Sequence, residues 1–146
     1  MRRWLLLMIL LTPPLGQAQA QQTARLSVDP PAQTVSPTAD TFEVRVMVDD
    51  VVTEQGLGGY TLVMAYDPEV LRALTITDSG LVGSTGNPVI CPASAIDNDA
   101  GTLAHFCFTL PLFGEPGPQT SEPQVLVTVR FEPIADFFSD LWFRFS

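Results

Sequence analysis

The sequence has no lysine: its seven basic residues are all arginine, set against sixteen aspartates and glutamates. There is one histidine, His105, and there are two cysteines, Cys91 and Cys107. Beyond the first residues no long apolar run occurs, and helical periodicity is nearly absent. Each shortage removes a class of function. Without a basic patch nothing displaces counterions from phosphate, so nucleic acid and anionic lipid are not expected as partners. One histidine, no Gly-x-Ser-x-Gly elbow and no phosphate loop leave no catalytic motif, and the chain reads as a non-enzyme without a cofactor. The carboxylates could form a glycosidase pair only by meeting in space. Asp49, Asp50, Asp97 and Asp99 stand at turns, where aspartate is common anyway.

The one long apolar run, residues 4–11 (WLLLMILL), follows Arg2 and Arg3 and is broken by Thr12-Pro13-Pro14. Ala18-Gln19-Ala20 then offers small residues at the spacing signal peptidase requires. As a helix the run reaches only about 12 Å, against roughly 30 Å of hydrocarbon, so it is not a transmembrane segment. The expectation is a signal peptide over 1–20, cleaved after Ala20, and a secreted domain over 21–146. Loss of Arg2 and Arg3 leaves five arginines against sixteen acids, a formal charge of −11 that favours solubility outside the cell.

In an oxidising compartment the pair Cys91 and Cys107 reads as a disulfide, contributing roughly 3 kcal/mol in the chain-entropy model. With His105 the only further ligand near them in sequence, the two cysteines do not complete a four-ligand zinc site. Nor do His105 and Cys107, two apart on one strand, make a nucleophile pair, since no orienting Asn or Asp is evident.

Strand signals recur along the chain. Residues 24–28 form a short first strand closed by Asp29-Pro30-Pro31. Residues 41–48 (TFEVRVMV) alternate, with Phe42, Val44, Val46 and Val48 on one face. Residues 58–66 put Tyr60, Leu62, Met64 and Tyr66 inward and Thr61, Val63 and Ala65 opposite. A short strand is expected over 74–77, and a strand apolar on both faces over 102–110 (TLAHFCFTL), as if covered from two sides. Residues 124–132 alternate again with Val125, Val127, Val129 and Phe131 inward, and a last strand is placed over 140–145. Residues 78–100 read as a long excursion without periodicity, and 111–123 as a loop rich in proline and glycine. Such a pattern predicts an antiparallel β-sandwich in one domain.

Between two of these strands stands Tyr66-Asp67-Pro68-Glu69-Val70-Leu71. Asp67 suits an N-cap, Pro68 the first helical position and Glu69 the positive end of a turn. Val70, Leu71 and Leu74 are then spaced to present an apolar plug to one end of the sandwich. Tyr-Asp-Pro followed by Val-Leu, at the end of an alternating strand, resembles the cohesin family. Supporting elements are residues 42–50 with Val51, Gly58-Gly59 before the next strand, the DNDAGT turn over 97–102, and the strand over 125–131. The resemblance spans about residues 24–145.

What the resemblance implies is a jelly-roll sandwich related to carbohydrate-binding modules. Its role would be non-catalytic: gripping a dockerin, a calcium-loaded helical module on another secreted protein, in cellulosome-like polysaccharide degradation. The partner-facing positions would be Gly59, Thr61, Val63 and Ala65, where better-known cohesins carry polar groups such as Asn and Asp. Tyr66, Asp67, Pro68, Val70 and Leu71 would be structural. A closing strand of the family is not expected here, which would leave an unpaired edge at residues 24–28. The alternatives are a module binding polysaccharide directly, with Phe113 or Trp142 as stacking platforms, and a structural surface protein. Asp97-Asn98-Asp99-Ala100-Gly101 resembles the start of an EF-hand loop, but Gly101 and Phe108 occupy its fifth and twelfth places. A hairpin turn is expected there, with no metal.

Overall fold

The computed structural model describes residues 24–31, 33, 35, 40–110, 115–135 and 144–145. The expected signal peptide, Phe113 and Trp142 lie outside them. The described strands are β1 (Arg25–Asp29), β2 (Phe42–Asp49), β3 (Gly59–Ala65), β4 (Leu71–Asp78), β5 (Val89–Ile90), β6 (Ala95–Asp97), β7 (Thr102–Thr109), β8 (Gln124–Pro133) and β9 (Arg144–Phe145). They pair antiparallel in two sheets. One runs β1-β2-β8-β4; the other runs β5-β7-β3-β9, with β6 also on β7. The chain changes sheet at β2–β3, β3–β4, β4–β5, β7–β8 and β8–β9, while β1–β2 and β5–β6–β7 each stay within one sheet. No helix among the described residues is long and apolar enough to cross a membrane.

Alternation makes the core. Phe42, Val44, Val46 and Val48 from β2 meet Leu62 and Met64 from β3, Leu103 from β7 and Val127, Val129 and Phe131 from β8, all buried. Burial of one such side chain contributes about 1.5–3 kcal/mol, so the facing rows account for the cohesion of the sheets. Phe131 anchors one end, stacked on Phe42 at 5.7 Å between ring centroids and met edge-on by Tyr66 at 5.2 Å.

Bulges correct the strict alternation in two places. In β8 the partner of Val46 is Val127 and that of Met47 is Val125, so Leu126 is an extra residue. Leu126 therefore enters the core, and Val125, expected there, is only half-buried. In β4, Ala73 pairs with Phe131 and Thr75 with Arg130, which makes Leu74 the extra residue. Leu74 is accordingly exposed and is not part of a plug.

The capped turn itself is present. Asp67 Oδ1 accepts from the Glu69 amide at 2.9 Å, and the Asp67 carbonyl accepts from the amides of Val70 and Leu71 at 3.2 and 2.9 Å. Leu71 is not its end but the first residue of β4, a strand longer than the expected 74–77, and it points into the core. The excursion over 78–100 also has structure: a 3-10 turn (Leu81–Gly83) followed by β5 and β6. Its Val82 is fully buried and closes the sandwich at the end away from Phe131.

The DNDAGT segment is the expected turn, between β6 and β7. Asp97 Oδ1 accepts from the amides of Asp99 and Ala100 at 3.1 and 2.9 Å, and Gly101 supplies the left-handed backbone at φ 64°. Asn98 reaches across to the other sheet. Its Oδ1 accepts from Tyr66 Oη at 2.6 Å and from the Ala73 amide at 2.8 Å, and its Nδ2 donates to the Ala73 carbonyl at 3.1 Å. The backbone freed by the β4 bulge is thus paired by one side chain.

Candidate functional site

The two faces of β7 are unlike. Inward stand Leu103, His105 and Cys107, all buried; outward stand Ala104, Phe106 and Phe108. The expectation of a strand covered on both sides fails here. Among the described residues no third layer packs on this side, and Phe106 and Phe108 stay 40 % and 37 % exposed. Their rings lie 6.3 Å apart and are parallel to within 6°.

Register places the expected partner-facing residues beside these rings. Gly59 pairs with Phe108, Thr61 with Phe106, Val63 with Ala104 and Ala65 with Thr102. Directly paired residues share a face, so all four lie on one surface with the phenylalanines. Ile90 of β5 pairs with Phe108 and extends the patch to the sheet edge. A Cβ at Gly59 would come within 3.0 Å of Phe108 Cα and Cβ, so β3 carries no side chain beside Phe108. The surface is apolar at its centre, with Thr61 and Thr102 as hydroxyl donors. Such a face gains affinity by burying ring and aliphatic area; aromatic side chains at its centre are the kind that dominate binding energy. Phe106 and Phe108 are candidate site residues that the sequence reading did not single out. Their two-residue spacing on one strand was the available signal.

On the inner side of the same strand lies a polar corner. Cys107 is joined to Cys91 in the expected disulfide. His105 Nδ1 sits 2.8 Å from Ser94 Oγ, and its Nε2 lies 3.4 Å from Cys107 Sγ. Asp78, the last residue of β4, brings Oδ2 to 3.5 Å from Cys107 Sγ and 3.9 Å from His105 Nε2. Asp78 Oδ2 also accepts from Tyr60 Oη, and Oδ1 from the Gly80 amide at 2.7 Å. Burial, then the hydrogen bond to Asp78 and its charge, push the Tyr60 phenol far above the usual tyrosine range. Asp78 thus lies with Cys91, His105 and Cys107, a neighbour not visible from sequence, because the β4 and β7 ends meet between the sheets; both sulfurs are taken up in the disulfide.

No family model matches the sequence, and none of the curated proteins does. Solved structures do match. The second type II cohesin module of the adaptor scaffoldin ScaA from Acetivibrio cellulolyticus aligns with a TM-score of 0.60 at 16 % identity, over 86 % of this chain and 77 % of that one. The sixth cohesin of scaffoldin B from the same organism, in complex with a Cel5 dockerin, gives 0.57 at 17 %, over 84 % and 81 %. A type II cohesin-X-dockerin complex from that organism gives 0.55 at 16 %, over 78 % and 74 %. At such identities the likeness is one of fold: this chain has the antiparallel β-sandwich of cohesin modules.

Proposed function

We propose that this protein is a secreted, non-catalytic cohesin-like module that recruits a dockerin-bearing protein in extracellular polysaccharide degradation. The observation that carries the reading is the exposed face centred on Phe106 and Phe108, on a fold shared with modules solved in complex with dockerins. Thr61 and Val63 on β3 flank the rings and complete the docking surface, with Gly59 and Ala65 at its ends. The partner would be a calcium-loaded module whose binding helices bring apolar side chains to this face.

The test is capture from the secreted proteins of the producing cells, with and without calcium, by folded bait. The expected result is a partner carrying duplicated calcium loops, held only with calcium and released by Phe106→Ser. Failure of a folded bait to retain any such partner removes the dockerin reading.

A second reading rests on the parallel Phe106 and Phe108 rings, which could stack on sugar faces. It predicts depletion of the protein by insoluble polysaccharide, unaffected by chelator and abolished by the same substitution.

A further inference from the structure

We infer that reduction of the Cys91–Cys107 disulfide turns the inner corner of the sandwich into a binding site for a thiophilic divalent cation such as zinc, held by Asp78, Cys91, His105 and Cys107. The four donor atoms lie within 4.8 Å of one another. Two thiolates, an imidazole and a carboxylate are a ligand set that zinc accepts in tetrahedral geometry.

The distances carry the argument further than the residue types. Zinc bonds of about 2.0–2.3 Å imply tetrahedron edges of about 3.3–3.8 Å between ligand atoms. Three edges are already near that size: His105 Nε2 to Cys107 Sγ is 3.4 Å, Cys107 Sγ to Asp78 Oδ2 is 3.5 Å, and His105 Nε2 to Asp78 Oδ2 is 3.9 Å. Asp78 and the pair His105 and Cys107 stand on strands of opposite sheets and are fixed by the core. Only Cys91 must move, and it is exposed in the segment between β5 and β6.

The surroundings suit a metal ligand set. Ser94 Oγ holds His105 Nδ1 and so directs Nε2 at the sulfur and carboxylate. Tyr60 Oη and the Gly80 amide orient Asp78. Electrons and protons balance in two steps. A dithiol reductant delivers two electrons and two protons to the disulfide, giving two thiols and an oxidised reductant. The cation then displaces both thiol protons to solvent and binds the thiolates. Oxidised and metal-bound forms exclude each other, since the same sulfur electrons make either bond.

The experiment uses the purified protein, reduced, freed of reductant under argon and titrated with cobalt(II). The expected result is the intense visible absorption of tetrahedral cobalt with thiolate-to-cobalt charge transfer, saturating at a single ion per chain and displaced by zinc. The oxidised protein gives neither band. Ser94→Ala weakens cobalt binding at least about tenfold, and Asp78→Asn shifts the visible bands. Zinc also slows alkylation of both thiols in the unsubstituted reduced protein, a readout independent of how the variants fold. Fully reduced protein with no tetrahedral spectrum and no protection overturns the inference. So does a spectrum indifferent to Asp78→Asn, or sheet structure lost on reduction and not restored by cobalt.

Discussion

Tyr60 couples the phenol, the Asp78 carboxylate and the inner row of β7. Its raised pKa has a definite sign in stability. The fold favours the protonated phenol, so the contribution is complete below the unfolded value near 10 and is lost as pH climbs above it. Urea midpoints should therefore fall between pH 9 and pH 11 by more in the unsubstituted protein than in Tyr60→Phe (about 2 pH units spanning the unfolded value). Equal falls would contradict the assignment. Asn98 makes the second residue-scale case. Asn98→Ala removes a side chain that serves Tyr66 and both backbone groups of Ala73. It should cost about 2–4 kcal/mol by denaturant titration, since paired groups are left in a partly buried site. Legibility divided along the same line. The Asp67 cap could be read because its partner is two residues away. The cross-sheet roles of Asn98 and Asp78 could not, because Tyr66, Ala73, Tyr60 and Cys107 lie 18 to 32 positions from them and are met only after the sheets pack.

At the scale of elements, the strands of the core were visible in alternation, and where that reading erred the cause was a bulge. One inserted residue in each strand exchanges Val125 for Leu126 inside β8 and turns Leu74 of β4 out of the core. Period-two patterns carry no mark of an insertion, since a run such as Val125-Leu126-Val127 is apolar in either register. The positions on β3 expected to face a partner came from family resemblance, while β7, their neighbour, gives that face its aromatic area. An apolar residue announces burial, and only the packing of layers decides what buries it. Two predictions belong here. Phe106→Ala and Phe108→Ala should each weaken partner binding by about tenfold or more in calorimetry while shifting unfolding by less than about 1 kcal/mol, because their rings are half-exposed in the free protein. Gly117→Ala should lower stability by about 1–3 kcal/mol, since a Cβ there would approach the Leu57 carbonyl oxygen to 2.2 Å, where the segments over 51–58 and 115–120 touch backbone to backbone.

Across the whole molecule the sandwich has an aromatic end, around Phe42, Tyr66 and Phe131, and a polar end, around Asp78, His105 and the disulfide. At the polar end a covalent link adds to the packing of Tyr60 on His105. Reduction should lower the free energy of unfolding by roughly 3 kcal/mol in the chain-entropy model for a link spanning 16 residues. Denaturation with and without a phosphine reductant measures it, and unchanged midpoints would show that the link adds nothing. The alternation of β7 has a consequence for how such a protein can change over time. Odd-numbered positions are tied to the interior and even-numbered ones only to whatever approaches from outside. On the docking role proposed for this face, a lineage can therefore rewrite its recognition vocabulary at 104, 106 and 108 while leaving the grammar of the fold at 103, 105 and 107 untouched, and new specificities can arise without passing through an unfolded ancestor.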